Sequence, residues 1–231
     1  MTESPFSAPV AFMIGPVTVT TTVVTTWAIM VLLTVLALWL KRRLTRDPGT
    51  AQAVAELFVD TVDGQIRATT QADPAPYRGL IGMLFLFILV ANWSSVVPGV
   101  EPPTAYLETD AALALLVFLA TIVFGIRANG PAGYLKTFAR PSWFMIPLNL
   151  VEQITRNFSL MVRLFGNIMS GVFVIGIILS LAGLLVPIPL MALDLLTGAI
   201  QAYIFAVLAT VFIAAAVSEG ASSNSQDEEK S

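Results

Sequence analysis

Runs of eighteen or more apolar residues recur along this chain. An α-helix needs a run of about that length to cross the roughly 30 Å hydrocarbon core of a bilayer. Five apolar stretches, 17–40, 80–97, 111–126, 142–185 and 188–217, therefore predict five crossings. The expected fold class is all-α, a polytopic membrane protein forming one membrane domain over 1–231. Only 12% of residues are charged and 56% are hydrophobic, against roughly 25% charged in a soluble domain. That leaves little polar surface for an extramembrane domain.

The stretches between the spans are informative. The first span stops at Lys41-Arg42-Arg43, with Arg46 close behind, a strong cytoplasmic stop. Residues 50–70 change to an amphipathic pattern. Val54, Leu57, Phe58 and Thr61 or Val62 share one face, with Gln52, Glu56, Asp60 and Asp63 towards the other, so this helix is expected to lie in the interface. Basic residues follow the first span and the third (Arg127, Lys136, Arg140), and Lys230 lies in the tail; the N-terminus, the loop at 98–110 and the turn at 183–190 have none. The positive-inside rule then puts the N-terminus outside and the C-terminus in the cytoplasm. Met1 to Pro16 lacks the basic start of a secretory signal, so the first span is expected to be retained. The acidic, polar tail 218–231 is expected to be disordered.

Histidine and cysteine are both absent. That removes imidazole acid–base chemistry, thiolate nucleophiles, disulfides and the commonest soft metal ligands. No catalytic residue, metal site or cofactor is expected, and nothing points to nucleic acid. Proton or cation chemistry must rest on carboxylates, amides, hydroxyls and arginine.

Those groups are arranged in order. Glu152, Arg156, Ser159, Arg163, Asn167 (beside Gly166) and Ser170 recur at spacings of three or four, one face of a helix, with apolar residues between them. A charge at mid-membrane costs at least about 2.5–3.5 kcal/mol on insertion scales. Arg156 is open to two readings, a functional cation or one that snorkels or pairs with Glu152. Arg163, with some twenty mostly apolar residues on its C-terminal side, has a harder route to the interface and is the principal candidate. The stretch 142–185 would reach about 65 Å as one helix, so it must enter obliquely or tilt, and tilt implies a neighbouring protein surface. On the last span, Asp194, Thr197 with Gly198, and Gln201 form a second polar stripe. It could relay a small cation, or simply hydrogen-bond between helices.

Several of these segments, in this order, resemble one family. SLMVRLFGNIMSG (159–171) and IQAYIF (200–205) are similar to the arginine-helix and last-helix motifs of the a subunit of F-type ATP synthases. LFLFILVANWSSVVPG (84–99), PPTA (102–105), GYLK (133–136) and PLNLVE (147–152) fit other parts of the same family, so the likeness covers nearly everything after about Pro76. The resemblance implies a non-catalytic stator subunit with two offset half-channels that carry H+ or Na+ to and from a carboxylate on a rotor ring of c subunits. It implies further contacts with peripheral-stalk b subunits, with membrane lipids and, indirectly, with the F1 sector, in the inner membrane of a bacterium.

Residue by residue, the resemblance makes Arg163 the stator arginine, Gln201 the glutamine opposite it and Asn167 the asparagine one turn on. Asp194 stands where relatives often carry Glu or His. Val172 replaces an acidic or histidine residue of many relatives, Tyr106 replaces an Asp, and Arg156 adds a cation to the stripe. The access path would then rely on Asp194 and Ser170, with Glu108, Asp110, Glu152, Ser159 and Arg156 as secondary candidates. These departures suggest a divergent, sodium-type branch. A secondary transporter or channel is the competing class, but it calls for inverted repeats or broken helices, and the two halves carry no convincing repeat. A membrane assembly factor would leave both polar stripes unexplained.

Overall fold

The computed structural model of the chain describes residues 10–14, 17–42, 49–97, 100–138, 143–183 and 186–228. Six α-helices dominate: α1 Thr21–Arg42, α2 Thr50–Thr70, α3 Ala75–Trp93, α4 Leu107–Phe138, α5 Ile146–Ala182 and α6 Pro187–Glu228. Five of them (all but α2) are long and apolar enough to cross a membrane. The all-α, five-crossing architecture expected from the sequence is therefore the one found. A short antiparallel hairpin, β1 Val10–Ile14 with β2 Val17–Thr20, precedes α1 and takes up the start of the stretch expected to be helical from residue 17. The basic stop extends into residues 43–46, which lie outside the described set, as does Arg140.

The last helix is the hub: α6 packs against α2, α3, α4 and α5. Its buried face is built largely from small residues, Ala202, Ala206, Ala209 and Ala216, with Phe205 and Ile213 filling the space between. In lipid no hydrophobic force drives helices together, so close approach across small residues supplies the association through van der Waals contact. Opposite them lie Ile88 of α3, Val117 of α4, and Leu160 and Leu164 of α5, all essentially inaccessible. Polar ties supplement the packing. Asn129 of α4 donates to the Ala216 carbonyl at 3.0 Å, and Tyr203 of α6 donates to Gln65 of α2 at 3.1 Å.

α4 runs on past its crossing only through a kink. Gly130 sits at φ 72°, a region open to glycine, and Pro131 follows with no N–H to continue the ladder. α5 has 37 residues, about 55 Å of helix, well beyond one bilayer crossing. α6 continues to Glu228, past residue 217 where the span was expected to end.

α2 is amphipathic as expected, but its apolar residues divide. Phe58 stacks near Phe85 of α3 with ring centres 5.7 Å apart, and Ile66 is fully buried, whereas Val54 and Leu57 remain 67% and 68% exposed. Arg78 at the start of α3 binds Asp63 of α2 through two hydrogen bonds, Nε to Oδ1 at 2.6 Å and Nη2 to Oδ2. Those bonds hold the Asp63 carboxyl below its usual range, against a smaller opposing effect of burial.

Candidate functional site

The polar stripe on α5 is a surface feature. Leu160, Leu164 and Ile168 repeat every four residues and bury α5 against the bundle. Glu152, Arg156, Ser159, Arg163 and Ser170 fall on the neighbouring face and are exposed. Between that face and α6 lies an open groove of about 610 Å³ whose polar lining is Glu152, Thr155, Arg156, Ser159 and Arg163, with Leu208 and Phe212 contributed by α6.

The two arginines differ in state. Arg156 forms an ion pair with Glu152 one turn before it, and its guanidinium lies 5.7 Å from the centre of the Phe212 ring. Of the two readings open for Arg156, pairing with Glu152 is therefore present. Arg163 has no hydrogen-bond or ion-pair partner among the described residues. Arg163 is exposed and lines the groove.

Two contacts set the register between α5 and α6. The Asp194 carboxylate lies directly against Gly171, where a Cβ would collide with it, and Arg156 lies over Phe212. The helices run antiparallel, so these contacts bring Arg163 level with about Ala202 to Phe205 and hence close in height to Gln201. Arg163 and Gln201 thus share a height but not a face. Gln201 is only 6% exposed, and its amide nitrogen has no partner, nor does that of half-buried Asn167. No hydrogen bond joins Gln201 to Arg163.

The remaining candidates separate. Ser170 is exposed and donates to the Asn167 carbonyl at 2.9 Å. Glu108 is exposed, whereas Asp110, two residues on, is fully buried with neither carboxylate oxygen partnered. Tyr106, also beside this turn, donates to Glu101, and its phenol is pushed upward first by burial and then by that bond. No cluster of three or more carboxylates that could hold a metal ion is present among the described residues.

Among the buried polar groups, sequence reading missed Asn92 in particular. Asn92, near the end of α3, is 2% exposed and ties Thr104 to the Gly198 carbonyl. Its signal was an asparagine inside the apolar run VANW, which marks a need for partners without naming them.

These features define a multi-pass helical membrane protein that presents an unpaired arginine on an intramembrane surface. The chain matches the ATP synthase A chain family over residues 23–214. It is 54% identical over 217 residues to ATP synthase subunit a 2 of a Bradyrhizobium species, covering 94% of this chain and 97% of that protein. It is 45% identical over 197 residues to ATP synthase subunit a of Albidiferax ferrireducens, covering 84% and 85% of the two chains. Against ATP synthase subunit a 1 of Chlorobaculum parvum the identity is 48% over 197 residues, covering 84% and 87%. The chain belongs to the ATP synthase A chain family.

Proposed function

We propose that this chain is the stator ion-channel subunit of an F-type ATP synthase, that it catalyses nothing by itself, and that Arg163 is the fixed charge through which ion flow is coupled to rotation. The observation that carries the reading is the exposed, unpartnered Arg163 in an apolar span. A guanidinium left facing lipid costs several kcal/mol or more, so this surface fits a partner with a compensating carboxylate. A rotor ring of c subunits supplies one at each step.

The physics of the step is simple. A ring carboxylate brought to about 4 Å from Arg163 gains of order 4 kcal/mol at an effective dielectric near 20, which favours release of its H+ or Na+. Arginine stays charged in such a place where lysine readily loses its proton. Each charge moved through about 100 mV supplies about 2.3 kcal/mol. Asp194 and Ser170, both about one turn beyond Asn167 in height, suit the access path on one side of Arg163, and Asp110 is a further candidate there. Ser159, Arg156 and Glu152 line the groove on the other side. Gln201, level with Arg163 and unsatisfied, suits the ring-facing layer once a partner helix is present.

The loop charges support an outside N-terminus and an inside C-terminus, a placement that labelling of single engineered cysteines with an impermeant maleimide tests directly. Peripheral-stalk b subunits complete the stator in this reading. The decisive experiment is Arg163→Ala in the assembled complex. ATP-coupled ion transport is lost while the subunit remains inserted; normal coupled synthesis in that variant would overturn the proposal. Purification as a homo-oligomer with no ring would favour the transporter reading instead.

A further inference from the structure

The α3–α6 contact carries an inference of its own, which rests on the functional reading above only for its consequence. Asn92 is buried to 2% exposure, and its amide nitrogen donates to the Gly198 carbonyl at 2.9 Å. Its amide oxygen accepts from the Thr104 hydroxyl at 2.7 Å, and Thr104 is wholly buried. One residue along α3, Trp93 Nε1 donates to the Leu195 carbonyl at 3.1 Å. The helices approach closely here, since a Cβ on Gly198 would lie 3.0 Å from the Asn92 Cβ.

Carbonyls inside a helix keep a second lone pair after accepting their own helical bond. Two such carbonyls, three residues apart on α6, are thus gripped by neighbouring side chains of α3. Away from competing water, the buried Asn92 bond is directional, and together with the more exposed Trp93 bond it resists both rotation and sliding. At 100° per residue, Asp194 and Gln201 lie about 20° apart around α6, and Gly198 lies about 40–60° from both. Any rotation that breaks the Asn92 contact swings the carboxylate and the amide together. On the other side, the Asp194 carboxylate lies against the backbone of α5 at Gly171.

We propose that Asn92, seated on Thr104, is a positioning residue that fixes the rotation and height of α6 and thereby aims Asp194 and Gln201 at the ion path beside Arg163. Asn92 itself touches no ion and is not part of the access route. Thr104 supports it by holding the amide in the orientation that presents its NH2 to Gly198. The glycine supplies the closeness that a side chain would prevent.

The test exploits the absence of native cysteine. In the assembled complex, the pair Gly171→Cys with Asp194→Cys has its Cβ atoms close to the roughly 3.8 Å a disulfide wants. Oxidative cross-linking of this pair reports the α5–α6 register without reference to activity. Asn92→Leu, which keeps the branched shape and removes both hydrogen bonds, is expected to slow cross-linking by about five-fold, the equivalent of one net buried hydrogen bond. Thr104→Val is expected to act in the same direction to a smaller extent, and Thr104→Ser to leave the rate unchanged. Without the cysteines, ions moved per ATP hydrolysed should fall in Asn92→Leu and Thr104→Val and hold in Thr104→Ser. Should Asn92→Leu fail to assemble, the valine and serine variants at 104 decide the matter between them. Unchanged cross-linking and coupling in assembled variants would overturn the positioning role, as would altered cross-linking with full coupling. Those results leave the stator assignment standing, which fails separately if Arg163→Ala stays coupled.

Discussion

The carboxylate of Asp194 rests directly on the backbone of Gly171, so the second polar stripe touches the arginine helix eight residues beyond Arg163. A larger residue in place of the glycine must displace the Asp194 carboxylate. Gly171→Ala is therefore expected to push Asp194 aside and lower ATP-driven ion transport several-fold. Gly171→Val should abolish it, with an overpacking cost of about 1–3 kcal/mol. Ion uptake into membrane vesicles, normalised to assembled complex, measures both. Full transport in Gly171→Val would show that the contact is incidental.

Glu152 matters through the arginine it occupies. Exposed ion pairs contribute about 0–1 kcal/mol to stability, so Glu152→Gln should assemble normally. It would, however, free Arg156 and leave two uncompensated cations on one stripe, each able, in the proposed reading, to hold a ring carboxylate. A several-fold slower turnover is expected, with recovery in the double variant Glu152→Gln with Arg156→Gln. Additive losses in the double variant, rather than recovery, would contradict the idea.

Asp110 is fully buried and its carboxylate has no partner in the described chain. A buried carboxylate without partners must hold a proton, a cation or water. If Asp110 belongs to the access path, Asp110→Asn keeps the packing and the assembly but slows transport by an order of magnitude. If it is a packing residue alone, the same change leaves transport untouched and the purified complex melts no lower.

The Asp63–Arg78 pair makes a pH prediction. The folded pKa of Asp63 is depressed, chiefly by its hydrogen bonds to Arg78. The stability it contributes is therefore present above the unfolded value of about 3.9 and lost as pH falls through the lower folded value. Hydrogen exchange across 50–70, corrected for the intrinsic rate, should accelerate below about pH 4. In Asp63→Asn the acceleration should already be seen at neutral pH. Equal protection of the two proteins at pH 7 would show that Phe58, Ile66 and Tyr203 hold α2 unaided.

Length and patterning made the crossings legible, because a run that outlasts a bilayer has few other uses. The α5 stripe was legible for a similar reason, since spacings of three and four translate directly into a helix face. What escaped was anything decided by a neighbour. The exposure of Val54 and Leu57 beside half-buried Phe58 follows from where α3 places Phe85, and no property of 50–70 encodes that. The partner of Asn92 is a backbone carbonyl 106 residues away, which carries no mark in the sequence. Gln201 could be placed level with Arg163 only once Asp194 and Phe212 fixed the register.

The bare guanidinium of Arg163 also bears on how the cell makes this subunit. A copy inserted before its partner would carry the charge against lipid and would be exposed to the proteases that clear orphan membrane proteins. In the proposed reading, its steady-state amount should then follow the supply of rotor rings rather than its own rate of synthesis, tying biogenesis to the same side chain proposed to govern turnover.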